Sequence, residues 1–113
     1  MPELLDVIRD AADEKKGEDL LTIPLEGKSV IADAFVLVSG RSKIQTRAIA
    51  DGITEAVREN GYAVLRTEGY ADGNWILLDL GSIVVHVFTP EQRQFYNLER
   101  LWAAATESRA RTS

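Results

Sequence analysis

The sequence predicts a single α/β domain with a mixed five-stranded sheet and flanking helices, and three observations favour this fold class. Some segments repeat apolar residues at spacings of three and four, as helices do, while shorter runs alternate or are continuously apolar, as strands are. One helical segment lies between two such runs, which predicts a right-handed parallel crossover. A chain of 113 residues, 45% of them apolar, is the size of one compact domain.

The first helix and a first hairpin account for the opening third of the chain. The helix follows Pro2, carries an apolar stripe and ends near residues 15–17. Two short apolar runs, at 19–25 and 34–39, are separated by a segment with a turn-favouring glycine and therefore predict two paired strands. Pro24 cannot donate a ladder hydrogen bond, so we expect the first strand to lie at an edge or to carry a break.

The second helix is marked at both ends. Ser42 followed by Gln45 has the spacing of a capping box, and Asn60 with Gly61 gives a stop signal. The apolar stripe between them comprises Ile44, Ala48, Ile49, Ile53, Ala56 and Val57. A third strand is predicted at 62–68.

A second hairpin is predicted over 75–80 and 83–88, with its turn at Gly81 and Ser82 because glycine at the first central position suits a type II′ turn. That turn sets the register. One sheet face then carries only aliphatic residues, and the other carries three cross-strand pairs: Trp75 with Phe88, Leu77 with His86, and Asp79 with Val84.

A last helix is predicted directly after this hairpin. Thr89, Pro90 and Gln92 supply an N-cap, a first-turn proline and a second capping-box spacing. Its apolar stripe comprises Phe95, Leu98, Leu101 and Trp102. We expect residues 1–106 to form the single domain and 107–113 to be a frayed tail.

Charge and composition limit the function classes. The net charge is −5, and residues 1–40 hold nine acids against four bases, so a basic protein partner suits the domain better than naked nucleic acid. The absence of cysteine excludes disulfides and thiolate chemistry, and a single histidine excludes a multi-histidine metal centre. With no membrane-length apolar run and no secretory signal pattern, we expect a soluble, cytoplasmic protein without a membrane partner.

Several long motifs carry a resemblance to a known family. The segments are DEKKGEDL, ADAFVLVSGRSKIQTRAIA, EGYADGNWILLDLGSIVVHVF and RQFYNLERLW, in that order. Their order and spacing resemble the Iojap-like family, whose bacterial members are called ribosomal silencing factors, from about Leu4 to Trp102. The resemblance implies a nucleotidyltransferase-like fold without catalytic residues. It also implies binding to the large ribosomal subunit through its fourteenth protein, which blocks joining of the small subunit and represses translation.

The candidate binding site is the face of the second hairpin that carries Trp75, Leu77, Asp79, His86 and Phe88, a mixture typical of a binding hot spot. Two plainer interpretations stand beside it. His86 alone fits a half-buried histidine that is hydrogen-bonded to backbone or to Asp79, and the whole face fits a surface covered by a helix. If the face is exposed, its apolar area also favours a homodimer in the free protein.

Two further groups extend this site. Arg93, Tyr96 and Glu99 share one face of the last helix, either as partner contacts or as an ordinary solvent face. Arg41, Lys43 and Arg47 cluster at the start of the second helix, where amides and the helix dipole favour an anion. They are either solvated charges or a peripheral contact to a phosphate of ribosomal RNA.

An enzyme is the weakest hypothesis. Nucleotidyl transfer needs closely spaced carboxylates that hold a divalent metal, but no Asp-x-Asp pair is present: Asp51 falls in the middle of the second helix, and Asp79 stands alone in its strand. No serine lies in a nucleophile-elbow pattern. We therefore expect no cofactor and no metal, and a steric inhibitor of subunit joining, with a large-subunit assembly factor as the alternative and a divergent nucleotidyltransferase as the least favoured.

Overall fold

The computed structural model describes residues 3–25 and 32–91, which form two helices and five strands. In chain order they are α1 (Leu4–Glu14), β1 (Glu18–Pro24), β2 (Ala34–Ser39), α2 (Lys43–Glu59), β3 (Arg66–Glu68), β4 (Trp75–Asp79) and β5 (Ile83–Phe88). The predicted fold class, a mixed five-stranded sheet with flanking helices, is confirmed. The predicted likeness to nucleotidyltransferases stays a prediction.

The strands form one sheet in the order β1-β2-β5-β4-β3. β2 and β5 are parallel, and the other three neighbouring pairs are antiparallel. β3 therefore runs in the same direction as β2, as the predicted crossover requires, although β5 and β4 lie between them. β1 is an edge strand, as Pro24 predicted, and its register shifts between Glu18 and Leu21, whereas Pro24 itself pairs in register with Ala34.

The main core lies between the helices and one face of the sheet. α1 buries Val7, Ile8, Ala11 and Ala12, and α2 buries Thr46, Ile49, Ala50, Ile53 and Val57. Against them pack the alternate residues of the three inner strands: Val36, Val38, Ile76, Leu78, Val85 and Val87. Because side chains alternate along a strand, the residues between these six point to the opposite face, which is where the candidate site lies.

Both helices end in the hydrogen-bond pattern of a Schellman motif, which satisfies carbonyls that a helix end leaves free. At the end of α2, the Tyr62 amide donates to Val57 O (2.9 Å) and the Gly61 amide to Arg58 O (3.1 Å). At the start of α2, the Ser42 hydroxyl accepts from the Gln45 amide. The Gln45 side chain departs from a strict capping box because its oxygen accepts from the amide of Arg41, the residue before the cap.

Two sequence expectations need correction. Ile44 was expected in the apolar stripe of α2, but it is 78% exposed because it lies in the first turn, beyond the sheet-facing stripe. The third strand was expected over 62–68, but only Arg66–Glu68 is a strand. Tyr62 and Val64 pack against the core, so their alternation reflects burial of a loop rather than sheet pairing.

The described chain ends at the start of the predicted last helix. Pro90 and Glu91 are helical, which agrees with a start immediately after Thr89. The rest of that helix and the boundary at 106 lie outside the described residues. Among the described residues, no helix has the length and hydropathy needed to cross a membrane.

Candidate docking site

The second hairpin adopts the predicted register. Trp75 pairs with Phe88, Leu77 with His86, and Asp79 with Val84. Gly81 has a φ of +92°, a conformation that favours glycine, and its amide donates to Asp79 Oδ1 at 3.0 Å. The Leu80 amide donates to Ile83 O, which closes the turn. The turn therefore fixes which side chains share a face, and Asp79 is part of the turn.

We call the sheet face opposite the helices the aromatic face. It is formed by Phe35 and Leu37 of β2, by His86 and Phe88 of β5, and by Trp75, Leu77 and Asp79 of β4. The β5 residues at its centre are buried, since His86 is 5% exposed and Phe88 1% exposed. In β2, Leu37 is buried and Phe35 is half-buried. The three β4 residues are half-buried. β4 therefore offers most of the part of the face that a partner can reach, with Phe35 the half-buried residue of β2.

Ring contacts organise the aromatic face around His86. Its imidazole stacks on Phe88 with centroids 5.9 Å apart and planes 10° apart, and it meets Phe35 edge-on at 5.1 Å. Trp75 lies 5.0 Å from Phe88, centroid to centroid. The indole Nε1 of Trp75 donates a hydrogen bond of 3.0 Å to His86 Nδ1.

That hydrogen bond defines the protonation state and the tautomer of His86. An imidazole that accepts at Nδ1 is neutral and carries its proton on Nε2. Within the described part of the chain, Nε2 is buried and has no hydrogen-bond partner. Burial lowers the pKa of His86 from its ordinary 6.5 to about 4. His86 is therefore a neutral hydrogen-bond acceptor at physiological pH.

These observations correct two expectations about the face. His86 was expected to bond to backbone or to Asp79, but its partner is Trp75, and the Asp79 carboxylate accepts from Gly81. Phe88 was expected to be exposed together with Trp75 and Leu77, but it is buried. The Phe88 ring packs against the rings of Trp75 and His86, and its strand lies between β2 and β4, whereas β4 has only the three-residue β3 beyond it. His86 and Phe88 thus lie beneath the reachable surface.

The loop at 69–74 holds the start of β4 against α2. Arg47 donates to Tyr70 O (3.0 Å) and Ala71 O (2.6 Å), and the buried hydroxyl of Thr46 lies 2.6 Å from Gly73 O. The Tyr70 hydroxyl donates to Asp51, which raises the Tyr70 pKa. This clamp was missed in the sequence, because hydrogen bonds to loop carbonyls leave no periodic pattern.

A glycine shapes the same loop. Gly69 has a φ of +78°, and a Cβ there would collide with the carbonyl oxygen of Trp75. The chain can pass this close to its own backbone only without a side chain. The spacing of Gly69 and Gly73, joined by an amide to carbonyl bond of 2.9 Å, was the available sequence signal for a tight turn at this point.

The basic cluster at the start of α2 is partly occupied by internal contacts. Arg41 forms an exposed ion pair with Glu18 at 2.7 Å, and Arg47 belongs to the loop clamp. Lys43 is exposed. The contacts of both arginines support the interpretation as ordinary surface charge, and contact to a phosphate of ribosomal RNA stays a prediction.

A charged rim borders the aromatic face at the β3 edge. Arg66 lies opposite Asp79 in the ladder and Glu68 lies opposite Leu77. A polar rim around an apolar centre is the usual organisation of a protein interface. Phe35 and this rim were not singled out from the sequence. The remaining predicted contacts, Arg93, Tyr96 and Glu99, lie outside the described residues.

Comparison with known proteins decides the family. A family model described as "Ribosomal silencing factor during starvation" matches residues 1–113. The chain belongs to this family. The resemblance inferred from the four motifs is thereby confirmed.

The relatives extend from bacteria to organelles. A ribosomal silencing factor of Bacillus subtilis is 43% identical over 102 residues, which covers 90% of this chain and 86% of the relative. A chloroplastic Iojap protein of Zea mays is 31% identical and covers 85% of this chain. A mouse protein named "Mitochondrial assembly of ribosomal large subunit protein 1" is 26% identical over 101 residues, 87% of this chain but 44% of its own length.

Two crystal structures share the fold. A protein from Chromobacterium violaceum superposes with a TM-score of 0.85 at 28% identity, covering 88% of this chain and 83% of its own. A protein from Bacillus halodurans gives a TM-score of 0.80 at 40% identity, with coverages of 88% and 92%. The family is regulatory and associated with the ribosome, which agrees with a binding function rather than an enzymatic one.

Proposed function

We propose that this protein represses translation by binding the large ribosomal subunit through its fourteenth protein and blocking the joining of the small subunit. Membership of the silencing-factor family carries the proposal. The docking surface is the β4 strip of the aromatic face, Trp75, Leu77 and Asp79, together with Arg93, Tyr96 and Glu99 of the predicted last helix. A cytoplasmic location follows from this target.

The β4 strip has the chemistry of a docking surface. Trp75 and Leu77 are half-buried apolar groups, so a partner can remove their remaining surface from water without unfolding the sheet. Asp79 supplies one carboxylate beside them, and a net charge of −5 favours a basic ribosomal protein. The inhibition itself needs no reaction, because a bound domain occupies the space that the small subunit must enter.

The test is co-sedimentation of the tagged protein with purified large subunits, followed by an assay of subunit joining. Asp79→Asn should weaken binding more than Glu3→Gln does, since a partly desolvated charge is screened less by salt than the exposed Glu3. Trp75→Ala should weaken binding by about 2 kcal/mol or more. Failure of the unmodified protein to co-sediment, or free joining in its presence, would contradict the proposal.

A second function is favoured by the name of the mouse relative, which describes assembly of a ribosomal large subunit. An assembly factor would bind immature large subunits and leave the joining of mature ones unaffected. Sedimentation with both kinds of particle separates the two functions. The same gradients, run without ribosomes, test the expected homodimer of the free protein.

A further inference from the structure

Trp75 and His86 form a hydrogen-bonded pair across two strands of the aromatic face. The donor is the indole N–H of Trp75, and the acceptor is His86 Nδ1 at 3.0 Å. Trp75 is half-buried at the beginning of β4, whereas His86 is 5% exposed at the centre of β5. The pair thus links a reachable side chain to one that solvent does not reach.

The accepting imidazole of His86 is held in place by its neighbours. The imidazole stacks on Phe88 and makes a T-shaped contact with Phe35. Its strand is bonded to β2 on one side and β4 on the other. A partial rotation of the ring would break its stack on Phe88, and a half-turn would put a carbon in place of Nδ1 and lose the bond from Trp75. The stack and this hydrogen bond together give the Nδ1 lone pair a fixed direction. Such a lone pair can select one orientation of a neighbouring indole.

We propose that His86 is a positioning residue, whose Nδ1 holds the Trp75 indole in the orientation that docks and which does not itself touch the partner. The proposal rests on the proposed function, because it concerns the same docking surface. A tryptophan held before binding loses less side-chain freedom when the complex forms, and this preorganisation increases affinity. The sequence had suggested a different role for His86, direct partner contact.

Replacing His86 by asparagine and by leucine, whose side chains have nearly the same shape, distinguishes a positioning role from a packing role. His86→Asn places an amide oxygen close to the position of Nδ1 and keeps an acceptor, while His86→Leu removes it and leaves the indole N–H without that partner. We expect the Asn variant to bind large subunits within about threefold of the unmodified protein. The Leu variant should bind about tenfold more weakly.

A readout on the free protein does not depend on the ribosome. In ¹⁵N–¹H spectra, the Trp75 indole proton should exchange slowly with solvent in the unmodified protein and in His86→Asn, and faster in His86→Leu. The chain has one other tryptophan, Trp102, so Trp75→Phe assigns the signal. Because Trp75→Phe also removes the donor, His86→Leu should have no further effect on binding in that background.

The outcomes are distinct. Equal weakening by Asn and Leu, with normal thermal melts, would mean that His86 contacts the partner directly and would overturn the positioning role. Unchanged binding in both, or unchanged indole exchange in the Leu variant, would overturn it as well. If the unmodified protein fails to bind large subunits while the exchange rates behave as expected, the proposed function fails and the orienting hydrogen bond stands.

Discussion

The ionisation of His86 should make the stability of this protein depend on pH in one defined window. His86 is the chain's one histidine, and the chain has no cysteine, so no other side chain ordinarily titrates near pH 6. Burial lowers its pKa from 6.5 to about 4 in the folded protein. Among the described residues, the ladders place Asp79, Arg66 and Glu68 on the same sheet face, and Glu18 at its far edge opposite Ser39. The rings that contact the imidazole are uncharged.

The sign follows from proton binding. Between pH 6.5 and about 4, the unfolded chain protonates His86 and the folded chain does not, so stability falls as the pH falls. Each pKa unit of difference is worth about 1.36 kcal/mol, so the full loss is about 3 kcal/mol. Above pH 6.5 this contribution to stability is fully present, and below about pH 4 no more of it is lost.

Urea unfolding measured at intervals from pH 4 to 8 tests this prediction. His86→Asn is the control, because asparagine keeps an acceptor and does not titrate. The difference in unfolding free energy between the two proteins should be constant above pH 7 and should change by about 3 kcal/mol towards pH 4. Parallel curves for the two proteins over the whole range would refute the burial of a neutral His86.

Three smaller predictions concern the loop and the surface, each checked by thermal or urea unfolding. Gly69→Ala should cost about 2 kcal/mol or more, because of its positive φ and the collision with the Trp75 carbonyl. Thr46→Val should cost about 1–3 kcal/mol by leaving a loop carbonyl unpaired, and Thr46→Ser should cost less. Arg41→Gln should cost less than about 1 kcal/mol, because its ion pair with Glu18 is exposed.

Local signals explain why so much of the fold was predictable. Helix ends follow from caps and stripes that are close in sequence, and the second hairpin follows from a glycine turn with alternating residues on both sides. The β4 to β5 register was therefore predicted pair by pair. The pairing of β2 with β5 is different, because it joins residues about fifty positions apart and no short motif specifies it.

The sequence predicted which residues share the aromatic face, but it did not predict how deeply each of them is buried. Alternation placed Trp75, Leu77 and His86 on one face, but a pattern of alternation is the same for a central strand and for one near the edge. Depth depends on strand order, which is a property of the whole sheet. The hydrogen-bond partner of His86 likewise could not be predicted from alternation, because it depends on side-chain length. The long Trp75 indole reaches His86, whereas the shorter Asp79 side chain accepts a bond from Gly81 in its own turn.

Two adjacent leucines in β4 provide a direct test that one sheet face stabilises the fold and the other binds the partner. Leu78 is fully buried against the helices, and Leu77 is half-buried on the aromatic face. Leu78→Ala should cost about 2–5 kcal/mol of unfolding free energy, and its large-subunit binding should be unchanged at temperatures where it is folded. Leu77→Ala should cost less stability, because part of its surface is already in water, and should weaken binding. Melts and co-sedimentation of both variants measure the two effects separately. If Leu77→Ala binds normally while folded, or if folded Leu78→Ala does not bind, the docking surface does not lie on the aromatic face.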